Sequence, residues 1–423
     1  MVPPPRSGRV TGLARAAVHA ALGRIRSGRL ALHESWSGRS SAFGPDGSEL
    51  RATVVVHDPA FYARLVREYS VGLGSSYADG LWDASDLVAP LRIAALEVGR
   101  LDRPRRVLRR IGRPVRRLRG DAYENTLPGA KRNIAAHYDL GNELFELFLD
   151  RDLMVYSCGL FEHEDVALEQ AQRAKLDRVC RALALGPDTH LLEIGGGWGA
   201  LALHAASTYG CRVTTTTISD AQRSYSQARI RRAGLDGLVR VIGRDYRELE
   251  GRYDRLASIE MIEAVGWQYL GLFLERCSDL LAPDGLMFLQ AICADDRVYE
   301  AQKDAPSLSN RLIFPGGSLP SVEAIARSLA ARTDLRTVWL EDISASYVLT
   351  LRAWRERFLA AEQQVAELGY DRRFRRLWEF YLAISEAGFA EARISDVQML
   401  CAKPAWRSPV PAPLPAPAAH ARA

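Results

Sequence analysis

HLLEIGGGWGALALHAASTYGCRVTTTTIS, residues 190–219, is the stretch whose reading decides the fold. A short apolar run ends at Glu193-Ile194, and Gly195-Gly-Gly197-Trp-Gly199 follows at once. The next ten residues are helix formers, and Val213 to Thr217 are β-branched. The order is therefore strand, glycine loop, helix, strand, the opening of a βαβ unit. Glycines at 195, 197 and 199 let the backbone turn tightly and approach a ligand at a helix N-terminus.

The spacing of that loop narrows the ligand. A dinucleotide site reads GxGxxG and carries an acidic residue at the end of the second strand. Here the loop reads GxGxG and the second strand ends in Thr214 to Thr217 with no acid. That pattern favours S-adenosylmethionine over NAD, with Glu193 and the three glycines as cofactor-binding residues. Downstream, YDRLASIEM (253–261) and GLMFLQAIC (285–293) are further strands separated by helical segments, which predicts a parallel sheet.

Upstream of the loop the chain changes character. Residues 1–30 hold six arginines and no acid, and the spacing predicts a basic amphipathic helix over 10–30. RATVVVHD (51–58) reads as a strand, PAFYARLVREY (59–69) as a helix, and GLGSSYADGLWD (72–83) as a glycine-rich turn. Residues 100–120 carry ten arginines against one aspartate, and Pro104 and Pro114 argue against one continuous helix. A solvated linker is one account of this strip. Docking on anionic phosphate is the other, and without aromatic interleaving or a nucleic-acid module a membrane is the expected partner rather than nucleic acid. The expected organisation is a basic arm (1–30), a small lipid-associated domain (31–99), an Arg-rich linker (100–124), a catalytic domain (125–404) and a disordered Pro/Ala tail (405–423).

Composition sets outer limits. Of 423 residues 48% are hydrophobic and 25% charged, as in globular proteins, and no apolar run approaches the length of a membrane span. The six cysteines are scattered without a CxxC pair, which argues against structural zinc and against a disulfide framework; no metal site is expected.

Seven stretches in order carry a closer likeness: RNIAAHYDLGNELFELFLD (132–150), MVYSCGLF (154–161), LLEIGGGWGALALHAA (191–206), TISDAQ (217–222), SIEMIEAVG (258–266), IFPGGSLPS (313–321) and SYVLTLRAWRERF (346–358). Together they resemble the cyclopropane-fatty-acyl-phospholipid synthase family, which includes mycolic-acid cyclopropane synthases and fatty-acid methylene- or methyl-branching enzymes. The resemblance implies a Rossmann-like class I S-adenosylmethionine-dependent methyltransferase fold with a small N-terminal α/β domain. It implies cofactor contacts from Tyr156, Ser157, Thr217, Gln222, Asp245 and Tyr246. Taken alone, Thr217 reads as a strand-end residue whose hydroxyl is satisfied locally.

The implied reaction moves a methyl group from S-adenosylmethionine to the cis double bond of a phospholipid acyl chain, after which a base removes a proton from the carbocation. In the family that base is a bicarbonate, and the matching positions here are Cys158, Glu263, Tyr347 and Gln290. Gln290 departs from the pattern, standing where many relatives have histidine; an amide donates a hydrogen bond but shuttles no proton. His137 is assigned a supporting part. Of Glu260 and Glu263, near the end of one strand, one is expected to be solvated. The segment 295–321 is expected to cover the acyl channel, with a simple surface loop as the competing account.

Ring closure to a cyclopropane is the leading expectation. Hydride shift and loss of a different proton give a 10-methylene chain, which a separate flavin or NAD(P)H reductase converts to a methyl branch of the tuberculostearic type. A non-catalytic lipid-binding paralogue and a small-molecule N-methyltransferase are the rivals from other classes. The expected location is cytoplasmic, peripheral to the inner face of the cell membrane, with a homodimer as a candidate assembly.

Overall fold

The computed structural model describes residues 9–100, 125–138, 140–305 and 307–408. The Arg-rich strip beyond Arg100, the first eight residues and most of the Pro/Ala tail lie outside the described residues. The chain forms two compact units. Described residues 9–100, 307–313 and 354–393 belong to the first, and 125–305, 314–353 and 394–408 to the second. The segment 354–393, placed by the sequence reading inside 125–404, thus belongs to the first unit.

The first unit holds a four-stranded sheet of β1 (Arg29–Glu34), β2 (Arg39–Phe43), β3 (Arg51–Val56) and β4 (Trp82–Ala84), in the order β2-β1-β3-β4. In β1 and β3 alternate residues are buried, as for a sheet covered on one face. The helix expected over 10–30 is shorter, Arg9–Leu22, because the chain turns at Gly23 and enters β1 at Arg29. Arg15 of this helix faces inward and is held by the buried Glu34.

The turn expected over 72–83 is instead helical to Ala78 and reaches β4 at Trp82. The helix Ala60–Ala78 bends at Tyr69, whose φ is 52°. Its glycines serve close packing: a Cβ on Gly74 would lie 2.0 Å from Leu308 Cδ1, and one on Gly72 would lie 2.4 Å from the Arg64 carbonyl oxygen. The helices Val88–Arg100 and Arg372–Ala390 pack in the same unit, around the buried rings of Tyr62, Trp82, Trp378 and Phe380.

The second unit is the α/β body predicted from residues 190–219. Its seven strands are β5 (His190–Ile194), β6 (Arg212–Thr216), β7 (Val239–Ile242), β8 (Tyr253–Ile259), β9 (Leu281–Ala294), β10 (Arg336–Asp342) and β11 (Ile394–Ala402). They are ordered β10-β11-β9-β8-β5-β6-β7. All pairs from β9 to β7 are parallel, and β11 runs antiparallel to both of its neighbours. Strands β5 and β6 after their first residue, residues 256–258 of β8 and residues 285–291 of β9 are buried without interruption, as in a sheet covered on both faces. Chain order reverses at β5, between β6 and β8, so the crevice beyond the carboxyl ends of β5 and β8 is where such a sheet takes a ligand. This is the class I S-adenosylmethionine-dependent methyltransferase architecture.

Candidate active site

The glycine loop leaves β5 and enters the helix Ala200–Tyr209. Gly195, Gly197 and Gly199 have φ of 89°, 51° and 85°, a region where a side chain is strained. Their surroundings differ. Added Cβ atoms would meet Met261 at Gly195, the Thr215 hydroxyl at Gly196 and Ser226 at Gly199, whereas at Gly197 nothing lies within 4 Å. The loop is therefore closed on its protein side and open at Gly197, as a cradle for a nucleoside requires. Glu193 accepts a hydrogen bond from the Thr215 hydroxyl at 2.6 Å, and burial raises its carboxyl to about 7. Thr217 donates to Gln222 Oε1 at 2.9 Å, so these two expected cofactor residues are held side by side. Ser219 caps the helix Asp220–Arg232 that carries Gln222.

Other cofactor positions divide. Tyr156 stands edge-on to Phe145 and Phe148, and Trp198 of the loop packs on the same Phe145. The Ser157 hydroxyl accepts a 2.6 Å hydrogen bond from Lys175 Nζ. Asp245 is locked to Arg247 by paired contacts of 2.7 and 2.8 Å. Tyr246 turns into the core against Phe273, with its hydroxyl buried and unpartnered. The backbone of His137 lies in the helix Leu127–Tyr138, and its side chain is outside the described residues.

The catalytic positions converge on Glu260, one of the two glutamates of which one is expected from the sequence to be solvated. Glu260 follows β8, and its amide donates to the Gln290 carbonyl at 2.9 Å, which extends the β8–β9 register past the strand end. Glu260 Oε1 accepts from the Cys158 amide at 2.8 Å and from Gln290 Nε2 at 2.7 Å, and Oε2 accepts from the Tyr347 hydroxyl at 2.6 Å. Its φ of 48° is left-handed, which costs a non-glycine residue roughly 1–2 kcal/mol. The residue remains partly accessible. Burial of the carboxylate raises its pKa, opposed by Tyr347, the Cys158 amide and Lys175.

Three expectations change accordingly. Neither Glu260 nor Glu263 is a solvated side chain. Glu263 Oε1 accepts from the Ile292 amide at 2.5 Å while Oε2 is buried without a partner; burial and then the Glu260 charge raise this carboxyl to about 8. Cys158 contributes its amide, while its thiol donates to the Gly159 carbonyl at 3.1 Å and is kept neutral by burial and the nearby Asp396 and Glu260 charges. The donors expected to hold bicarbonate are directed instead at the chain's own carboxylate. These residues do not fit a bicarbonate at that point, because Glu260 already fills the donor set.

Around this centre the structure adds residues absent from the sequence reading. Gln290 Nε2 also donates to Asp396 Oδ2 at 2.9 Å, and Gln290 Oε1 accepts from Gln398 at 3.0 Å. Asp396 and Gln398 come from β11, whose register sets Gln398 directly opposite Gln290. Arg178 donates to Gln398 Oε1 at 3.2 Å and pairs with Glu341 at 2.9 Å. Lys175 is buried in the same region; burial lowers its pKa and the Glu260 charge opposes that. Asp396 is pushed well above the carboxylate range by burial, then by the charges of Glu260 and Glu263. One signal for the two cations was present in the sequence. Leu168, Ala171, Lys175, Arg178 and Ala182 follow a 3-4-3-4 spacing, which puts both charges on the buried face of the helix Leu168–Ala182.

Among the described residues no helix is long and apolar enough to cross a membrane, and no cluster of side chains is arranged to hold a metal ion.

Comparison with known proteins agrees with this geometry. Residues 126–399 match the family described as mycolic acid cyclopropane synthetase. The chain is 37% identical over 355 residues to tuberculostearic acid methyltransferase UfaA1 of Mycobacterium tuberculosis, covering 82% of each protein. It is 35% identical over 353 residues to cyclopropane-fatty-acyl-phospholipid synthase of Escherichia coli, covering 82% of this chain and 86% of that one. The crystal structure of mycolic acid cyclopropane synthase CmaA1 with SAH and CTAB superposes with a TM-score of 0.60 at 28% identity, over 64% of this chain and 98% of that chain. With the glycine cradle, the sheet order and these matches in agreement, the chain belongs to the mycolic acid cyclopropane synthetase family and is an S-adenosylmethionine-dependent methyltransferase.

Proposed function

We propose that this enzyme transfers a methyl group to the cis double bond of an unsaturated phospholipid acyl chain and then removes a proton, closing a cyclopropane ring. The observation that carries the reading is the enclosed acid–amide–phenol cluster at the end of β8, beside the glycine loop of β5. An alkene is a weak nucleophile, so its reaction needs alignment, exclusion of water and a nearby group that accepts a proton. S-adenosylmethionine, held at Gly195 to Gly199 and at Thr217 with Gln222, supplies an electrophilic methyl on a sulfonium.

The chain's residues do the remainder. Phe145, Tyr156 and Trp198 form an aromatic wall at the loop. Tyr347 and Gln290 hold polar hydrogens toward the acid cluster. Ser318 donates to the Glu263 carbonyl at 2.9 Å, and that contact supports the reading of 295–321 as a cover over the acyl chain. Docking on an anionic surface at the inner face of the cell membrane is part of the same proposal and rests on the arginine-rich composition of 100–120.

One observation favours a second product. The relative at 37% identity is named for tuberculostearic acid, and Gln290 is an amide. On this reading the cation shifts a hydride and loses a proton to give a methylene branch, whose reduction requires a separate hydride donor. Incubation of the full chain with S-adenosylmethionine and vesicles of a cis-unsaturated phosphatidylglycerol, followed by proton NMR of the extracted lipid, decides the matter. High-field ring protons are the expected result, vinylidene signals establish the second product, and the absence of both overturns the proposal. Calorimetric titration with S-adenosylhomocysteine separates an enzyme from a lipid-binding paralogue, which would give no heat of binding.

A further inference from the structure

We infer that Glu260 is the proton acceptor of this reaction, a carboxylate built into the chain at the point where a bound anion would otherwise be held. The inference rests on the lipid reaction proposed above and adds to it the identity of the base.

Three donors from three separate segments end on one carboxylate: the Cys158 amide, Gln290 Nε2 from β9 and the Tyr347 hydroxyl from the helix Ser344–Ala360. Such a constellation recognises a small oxyanion. Nothing else in the cluster offers the same. Glu263 has one donor and a buried oxygen with no partner, and Asp396 accepts from Gln290 on one oxygen while its other oxygen is buried without a partner. Both are better held as neutral acids, so of the three carboxyls Glu260 is the one built to be an anion. Lys175, buried and hydrogen-bonded to Ser157, is the nearby compensating charge. Glu260 also keeps partial accessibility, as a group that must reach substrate requires.

The step balances without any further reagent. The alkene π pair forms the new C–C bond to the methyl carbon, and the C–S bond breaks with its electrons going to sulfur. The adjacent carbon becomes cationic. A Glu260 oxygen takes a proton from the transferred methyl, and the released C–H pair closes the ring. In the branched alternative a hydride moves first and the same proton loss leaves a methylene. A proton next to a carbocation is strongly acidic, so a carboxylate suffices once it is positioned. The product leaves Glu260 protonated, and the proton is lost to solvent as the site opens.

The test uses the full chain with S-adenosylmethionine and vesicles of cis-unsaturated phosphatidylglycerol. E260Q is expected to lose about 100-fold or more in modified lipid formed, the range of general-base contributions, while S-adenosylhomocysteine binding stays within about threefold. E260G suits the left-handed backbone at this position, and added formate is expected to restore part of its activity. Formate does nothing for a residue with a purely structural role. The unsubstituted enzyme is expected to work equally well in carbonate-free buffer and in buffer with added bicarbonate. E260Q activity within threefold of the parent, a requirement of the parent for bicarbonate, or failure of formate to raise a folded, cofactor-binding E260G overturns the assignment. A parent enzyme that binds S-adenosylhomocysteine but modifies no cis-unsaturated lipid overturns the lipid reaction itself, and the role of Glu260 with it.

Discussion

Two glutamates that accept several hydrogen bonds, one in each unit, have opposite surroundings. Glu34 in the first unit, 1% exposed, accepts from Arg15 at 2.5 and 3.0 Å, from the Tyr62 hydroxyl at 2.6 Å and from the Ser37 hydroxyl at 3.1 Å. Burial works to raise its pKa, but Arg15, Tyr62 and Ser37 outweigh it and the net direction is down. Glu260 in the second unit has donors but no guanidinium, and it shares its region with Glu263 and Asp396. There burial wins, and all three carboxyls are displaced upward. A matched charge ties elements together. An under-matched set keeps protons available near neutral pH, which is how sites for proton transfer are built.

The largest effect in stability should come from breaking the matched pair. Arg15→Met leaves Glu34 buried without its cation. With Arg15 partly open to solvent, the expected loss is about 2–3 kcal/mol in urea unfolding of the first unit at neutral pH. The double variant R15M/E34Q should recover most of that. A loss below about 0.5 kcal/mol would abolish the contrast between the two units.

Removing the cation from the unmatched cluster acts on a different observable. Lys175→Met should raise the pH at which activity reaches half its maximum by about one unit, because a carboxylate deprived of a neighbouring positive charge ionises at higher pH. The groups facing Glu260 are Cys158, Lys175, Glu263, Gln290, Tyr347 and Asp396, and of these only Lys175 is cationic. A downward or absent shift in the pH–rate profile contradicts the charge assignment.

Glu263 offers a smaller, thermodynamic test. Its carboxyl, raised to about 8, binds a proton in the folded state that the unfolded chain releases near 4.5. Folding stability through this group is therefore fully present below about pH 4.5 and falls as pH rises toward 8, by on the order of 1 kcal/mol per pH unit. Glu263→Gln should flatten that part of the curve, measured as the denaturation midpoint at pH 5.5 and 8. The smallest effect belongs to the exposed pair Arg173–Asp152, half open on both sides. Arg173→Ala should change stability by less than about 0.5 kcal/mol.

Much of this was legible from residue order alone, and the parts that were not share a cause. The glycine loop and the strands β5, β6, β8 and β9 follow from local pattern, and the positions of Cys158, Tyr347 and Gln290 from the resemblance to the family. Glu260 did not, because its direction depends on a left-handed residue after β8 and on the register with β9. Asp396 and Gln398 were out of reach for a longer-range reason. They meet Gln290 across more than a hundred residues of chain, through an antiparallel pairing that no local periodicity announces. Lys175 and Arg178 could have been found, since two charges at core spacing on one helix ask for buried partners. The glycines of 72–83 show the converse error: a residue type common in turns was serving contact with Leu308 and Phe380.

The antiparallel strand β11 also ties the cluster to the order in which the chain is made. It lies between β9 and β10, yet it is the last strand of the described chain to leave the ribosome. Until it inserts, Gln290 has neither Asp396 nor Gln398 beside it. A slip of one residue in its pairing would turn both side chains to the opposite face. The Gln290 side of the cluster is therefore complete only when the last strand of the sheet is in place.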